Sequence, residues 1–150
     1  KNYGEWFGIN YAITYFYNAY GNREIELGKY ATLIAIYKTR MRNSLPLQVV
    51  QPGTQRRNFT HISDIINGLI LVGKFGMGDE YGICNPDTYT VLEVAKIFGG
   101  KIEYLPARKG NRMSAQVIIE KTKILGWNPK VSLRDYINEL RGNDWFEMQT

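Results

Sequence analysis

Glu80-Tyr81-Gly82-Ile83-Cys84, the turn Asn85-Pro86-Asp87, the run Val91-Leu92-Glu93-Val94-Ala95-Lys96-Ile97-Phe98 and then Ile102-Glu103-Tyr104-Leu105 follow one another within residues 80–105. The first and last pieces are short, apolar and bounded by turn residues, as strands are, and the run between them has the length and spacing of a helix. Thr90 caps that helix, with Glu93 three residues on in capping-box spacing, and Gly99-Gly100 ends it. Strand, helix and strand in succession make an α/β unit.

The same alternation extends in both directions. Residues 1–8 read as the end of a helix, with Trp6 and Phe7 as its apolar side and Gly8 as its stop. Residues 11–17 are aromatic, β-branched and nearly uncharged, which predicts a buried strand of a parallel sheet. Asn18, Tyr20 and Gly21 lead out of it into a loop. Residues 31–42 are a helix with Leu33, Ile34, Ile36, Tyr37 and Met41 as an apolar stripe, leaving Lys38, Arg40 and Arg42 to face out. Residues 45–50 are a strand, Pro52-Gly53 a turn, and residues 58–60 a short extended piece. Residues 63–75 are a further helix whose first turn suits Ser63 and Asp64. After the strand at 102–105 come a polar, basic loop over 106–112, a short helix at 120–125 stopped by Gly126, and a last helix over 133–140 capped by Ser132. The tail at 142–150 has no pattern.

A chain of 150 residues is one domain or a large piece of one, and 44% hydrophobic content excludes disorder. No stretch approaches the roughly 18 apolar residues of a membrane span, so no membrane partner is expected. The single cysteine excludes an internal disulfide framework and fits a reducing compartment; the expected location is cytoplasmic. One histidine and one cysteine make a buried zinc site a poor reading, and no metal is expected.

With 19 basic and 14 acidic residues the net charge is +5, and the pI is about 9.3. Such a surplus suits an anionic partner. The charges are dispersed rather than gathered in a basic run, so nucleic acid is not the expected partner. A small basic nucleic-acid-binding module stays as the remote alternative, motivated by the pI and the 13% aromatic content.

Residue types give no catalytic constellation. His61 and Asp64 are too close in sequence for a persuasive pair, and Cys84 reads as a buried structural thiol. Gly76-Met77-Gly78 lies at a helix end and reads as a turn, so the Gly-rich phosphate turn of a dinucleotide fold is missing. What stands out is anion recognition. Gln55-Arg56-Arg57 follows a Pro-Gly turn, and Arg108-Lys109-Gly110-Asn111-Arg112 follows a strand. A guanidinium fork bonds two oxygens of a diphosphate at once. Solvated loop charge is the alternative reading of the same arginines.

Five motifs in order then resemble the extended short-chain dehydrogenase/reductases, the sugar-nucleotide epimerases and dehydratases. They are Phe16-Tyr17-Asn18-Ala19-Tyr20-Gly21; Gly53-Thr54-Gln55-Arg56-Arg57-Asn58-Phe59-Thr60-His61-Ile62-Ser63-Asp64; Glu80 to Asn85 with Thr90 to Ala95; Pro106-Ala107-Arg108-Lys109-Gly110-Asn111; and Leu125-Gly126-Trp127-Asn128-Pro129 with Ser132-Leu133. The UDP-glucose 4-epimerase-like branch is the most similar. The resemblance implies the C-terminal, substrate-binding part of a Rossmann-type NAD(P)-binding fold, with residues 11–17 as the last strand of the Rossmann sheet. Its N-terminal dinucleotide-binding half is not in the sequence. In that family a Tyr-x-x-x-Lys pair and NAD do the chemistry: the tyrosine takes a proton from a sugar hydroxyl while NAD takes a hydride from the same carbon. No such pair stands in the right place here, so this chain supplies no catalytic residue and is expected not to turn over alone.

By the same resemblance Asn18 would bond the diphosphate or the sugar, Arg57 and Arg108 would clamp the diphosphate, Asn111 would meet the ribose side, and Val49 and Val50 would sit by the base. Phe16 and Tyr17 would pass close to the nicotinamide. The implied partners are a UDP-hexose or related sugar nucleotide and, in the intact enzyme, a second copy in a homodimer; the alternative activity is a 4,6-dehydratase. The chain departs from the family pattern at Tyr15, Asn22, Asn58 and Asn111, where the family has Arg, Pro, Asp and Asp.

The chain opens on Lys1 rather than Met, and is expected to begin mid-protein. A strand at 11–17 without its neighbours presents an unpaired edge and an apolar face. The chain is therefore expected to associate with itself unless other parts of the protein cover it. Sedimentation velocity checks this, and a well-behaved monomer across a dilution series would count against it.

Overall fold

The computed structural model describes residues 1–110, 113–114 and 117–142. Its elements run α1 (Asn2–Phe7), β1 (Ala12–Phe16), β2 (Ala19–Tyr20), α2 (Leu33–Arg42), β3 (Leu47–Val50), β4 (Arg56–Asn58), β5 (Thr60–His61), α3 (Ile62–Phe75), β6 (Gly78–Ile83), β7 (Thr88–Thr90), α4 (Val91–Phe98), β8 (Ile102–Leu105), α5 (Glu120–Ile124) and α6 (Leu133–Gly142). Among the described residues the strands pair in twos. β1 with β6, β2 with β5, and β3 with β8 are parallel, while β4 and β7 are antiparallel.

Local chemistry explains the clearest boundaries. Thr90 and Glu93 form the expected capping box at α4, and Gly99 ends it in the left-handed conformation. Thr32 accepts from the Ala35 N–H, so α2 begins at Leu33 rather than at residue 31. His61, not Ser63, caps α3: its ring nitrogen accepts from the Ser63 N–H. Ala19 and Tyr20, expected to be loop, form β2 because Thr60 and His61 lie beside them. Gly82 is required by a close approach, since a Cβ there would sit 1.4 Å from the Ile118 carbonyl oxygen.

The main core joins α2, β3, α4 and α6, with Ile34, Tyr37, Leu47, Val94, Phe98 and Ile137 among its buried members. Tyr37 packs edge-on against Phe98 and spends its hydroxyl on the Gln48 carbonyl oxygen at 3.0 Å. A smaller cluster of Ile65, Ile83 and Trp127 lies under α3. Asp64 joins that helix to the chain beyond α5. Its carboxylate accepts the Lys130 and Val131 N–H groups, each at 3.0 Å, and its carbonyl accepts the Trp127 indole N–H at 2.9 Å.

Two expectations need correction. The strand at β1 is not buried: Tyr15 and Phe16 are 44% and 56% exposed. Among the described residues β6 is the one strand paired with it, and α3 packs on it. Lys38 does not face out. It is fully buried on α2, 2.8 Å from Glu24, and donates to the Gly21 carbonyl oxygen at 2.8 Å. Glu24 also accepts the Thr32 hydroxyl at 2.5 Å. One ammonium thus pins the segment between β2 and α2 to the helix that follows it.

Removing one partner of a buried ion pair leaves the other charge uncompensated, at a cost of about 3–5 kcal/mol. Lys38→Met is expected to lower the urea midpoint by that much, and adding Glu24→Gln to recover part of the loss. Equal midpoints for Lys38→Met and the parent chain would show that the pair carries no stability.

Candidate functional site

Two turns meet at the end of the β3–β8 pair. In a parallel pair both strands leave at the same end, and Val50 lies opposite Leu105. The Gln51 N–H donates to the Leu105 carbonyl oxygen at 2.9 Å. From there one branch turns through Gly53, at φ +77°, into β4. The other runs through Arg108 and returns to β4, where the Arg56 N–H donates to the Met113 carbonyl oxygen at 2.7 Å. The basic loop is therefore tied at both ends to the segment that carries Arg56 and Arg57.

The two neighbouring arginines do different things. Arg56 is spent on Thr88, donating to its hydroxyl and its carbonyl oxygen. Arg57 is half-buried, donates among the described residues to the Arg56 carbonyl oxygen at 2.8 Å, and lines a cavity of about 350 Å³. Asn18, Thr32, Leu33, Phe59 and Val91 line the same cavity.

Asn18 sits at a positive φ of 38°, and its side-chain amide donates to the Asn58 carbonyl oxygen at 2.7 Å. Asn58 is itself buried, and its amide donates to the carbonyl oxygens of Asn85, Pro86 and Asp87. A carboxylate at this position would have no hydrogen to give them. The first turn of α2, whose N–H groups favour negative charge, lines the same cavity through Thr32, Leu33 and Ile34.

Each expected site residue can now be placed. Asn18 and Arg57 share the cavity. Arg108 is exposed on its loop. Val50 is half-buried at the turn, whereas Val49 is buried in the core at 0% exposure. Phe16 is exposed and Tyr17 half-buried at the C-terminal end of β1. Asn111 lies outside the described residues. Thr32, Leu33 and Val91 were not among the expected site residues. A threonine directly before an apolar run is a helix-start signal, and it could have placed Thr32 at the mouth of α2.

A second cavity, of about 500 Å³, adjoins the first and shares Ala19 and Thr32 with it. His61 lines it between the Tyr20 and Tyr136 rings. Burial lowers the His61 pKa; the nearby Asp64, Glu24 and Glu139 charges oppose that shift. Cys84 is fully buried, and burial pushes its thiol up to about 11, as for a structural cysteine. Among the described residues no group of three or more His, Cys, Asp or Glu side chains could hold a metal ion, and no helix is long and apolar enough to cross a membrane.

Comparison with known proteins identifies the family and the fold. The NAD dependent epimerase/dehydratase family matches residues 1–84, more than half of the chain. The chain belongs to that family. It is 31% identical over 134 residues to UDP-glucuronic acid decarboxylase 4 of Arabidopsis thaliana, covering 84% of this chain and 30% of that one. It is 26% identical to a putative UDP-glucose 4-epimerase of Methanocaldococcus jannaschii, covering 93% of this chain and 47% of the relative. The crystal structure of UDP-glucose 4-epimerase from Thermotoga maritima with UDP-glucose superposes with a TM-score of 0.84 at 24% identity, over 95% of this chain and 49% of that one. The chain thus spans between 30% and 49% of these relatives, and its α/β fold is that of a part of the Rossmann-type epimerases.

The family's cofactor is NAD, a hydride acceptor when bound. Among the described residues no Gly-rich turn joins a strand to a helix in the way that cradles a dinucleotide's phosphates.

His61 is the chain's one histidine, so its titration can be read alone. Its lowered pKa means that the unfolded chain binds the proton more readily. Stability is then complete above the ordinary value of 6.5 and falls as the pH drops below it. Urea midpoints between pH 7.5 and 5 are expected to show that fall, and His61→Asn, which can still cap α3, to flatten it. An unchanged slope in the variant would assign the effect to the carboxylates.

Proposed function

We propose that this chain is the sugar-nucleotide-binding part of an NAD-dependent epimerase, with a UDP-hexose as substrate and transient hydride transfer at the sugar's C4 as the reaction. The observation that carries the reading is the convergence of Arg57, Asn18 and the first turn of α2 on one cavity, with the Arg108 loop tied to the same segment. A diphosphate would lie against the Arg57 guanidinium, its charge facing the α2 N-terminus and its oxygens within reach of Asn18. Arg108 would close on it from the loop, with Asn111 toward the ribose. The base would lie toward Val50 and the turn at Gly53. Binding energy spent on this remote part of the substrate would hold the sugar for hydride transfer.

Phe16 and Tyr17 would face the nicotinamide of NAD, held mainly by a dinucleotide-binding half. With no Tyr-x-x-x-Lys pair in place, the chain alone would bind without turning over. The native enzyme would be a homodimer in the cytoplasm. Decarboxylation of a UDP-uronic acid is the second reading, favoured by the 31% identity to a plant UDP-glucuronic acid decarboxylase. A 4,6-dehydratase of the same family is a third.

Calorimetric titration of the chain with UDP-glucose, dTDP-glucose and a single-stranded oligonucleotide tests the reading. Saturable sugar-nucleotide binding is expected, weakened about 10- to 150-fold in Arg57→Ala, the range for hydrogen bonds to a charged group. Arg56→Ala, whose guanidinium is already engaged by Thr88, should weaken it far less. Salt-sensitive oligonucleotide binding without sugar-nucleotide binding would replace the proposal with a nucleic-acid module.

A further inference from the structure

The larger cavity has a charge pattern that the diphosphate site does not use. Of its charged lining groups, Glu24 is held 2.8 Å from the buried Lys38 and accepts the Thr32 hydroxyl, so its charge is already answered. His61 is neutral near pH 7, its pKa lowered by burial, and its Nδ1 is committed to Ser63. Asn22 accepts the Tyr136 hydroxyl at 3.1 Å. Arg23 is exposed at the cavity and has no hydrogen bond or ion pair among the described residues. The remaining wall is apolar, from Ala19, Ile62 and Ile66. Lys38 thus has a consequence beyond stability. By occupying Glu24 it keeps that carboxylate from quenching the guanidinium next to it in sequence.

The position of this cavity says which part of a ligand would enter it. The smaller cavity holds Arg57 and is lined by Val91, whose N–H donates to the Gln55 carbonyl oxygen just after the turn toward which the base would lie. The larger one meets it at Ala19 and Thr32 and is not lined by Arg57 or Val91. In a sugar nucleotide the group on that side of the diphosphate is the sugar. We propose that the sugar carries a carboxylate, so that the substrate is a nucleotide-linked uronic acid, and that Arg23 recognises it. A guanidinium fork fits a carboxylate with two parallel hydrogen bonds. An uncharged hydroxymethyl group at the same place would leave Arg23 to solvent. This inference rests on the sugar-nucleotide reading and goes beyond it in naming the sugar's charge.

The test is competition binding to the full chain with UDP, UDP-glucose and UDP-glucuronic acid, in the parent and in Arg23→Ala, Arg23→Lys and Arg57→Ala. UDP-glucuronic acid is expected to bind at least about tenfold more tightly than UDP-glucose. Arg23→Ala should bring the two together by weakening only the uronate, and Arg23→Lys should keep part of the preference as a point charge. Arg57→Ala should weaken both alike. Equal affinities in the parent, or an Arg23→Ala loss shared equally by both sugars, would overturn the carboxylate assignment while leaving the diphosphate site standing. Failure of UDP itself to bind would overturn the sugar-nucleotide reading and this inference with it.

Discussion

The chain crosses between β4 and β5 at Asn58, Phe59 and Thr60, and most of the site hangs on how those residues are held. Asn58 donates to three successive carbonyl oxygens at residues 85–87, while its own carbonyl accepts the Asn18 amide. Two residues later the Thr60 hydroxyl accepts the Asn85 N–H at 3.0 Å. Each is a buried polar group with its partner in place, the condition under which such groups rigidify a structure rather than weaken it. The crossing therefore sets Arg57, Phe59 and Asn18 relative to one another. Arg57 thus stands on a short strand that is clamped at the very next residue.

Charge is managed in the same way. The chain carries a surplus of basic residues, yet those near the site have divided roles. Arg56 braces β7 through Thr88, Lys38 neutralises Glu24 inside the fold, and Arg57 faces a cavity. Net charge could suggest an anionic partner but could not say which cations remain available for it. That depends on which carboxylates and carbonyls the fold has already matched to the others.

This is also where the sequence was readable and where it was not. The α4 capping box, the glycine stop after it and the Leu-Gly-Trp segment were local signals, and local geometry honours them: Trp127 and the chain after it close on Asp64. Arg57, singled out because it follows a turn, does line a cavity. Lys38 was misread because its position on α2 looks solvent-facing, and its partner Glu24 comes from a loop with no helical or strand period to place it. In β3 the alternation of buried and half-buried residues turns Val49 to the core and leaves Val50 at the rim, a distinction that the motif alone did not make. β2 was missed because two residues carry no period, and only pairing with β5 makes them a strand.

The two sides of the molecule differ in how much of their apolar surface they bury themselves. The core around α2, β3, α4 and α6 is closed, with Ile34, Leu47, Phe98 and Ile137 at 1% exposure or less. On the side of β1 and α3, Phe16, Ile66 and Ile70 remain 49–56% exposed, and the outer edge of β1 has no strand beside it among the described residues. Parallel strands are ordinarily covered on both faces. The cavity of Arg57 and Asn18 is built against the closed side, through Ile34 and Phe59 of its core. Phe16, by contrast, stands on the open side. A surface meant to meet a cofactor there would acquire its second wall only when that side is covered. On the proposed reading, nucleotide recognition and the chemistry beside Phe16 would therefore draw on different sides of the fold.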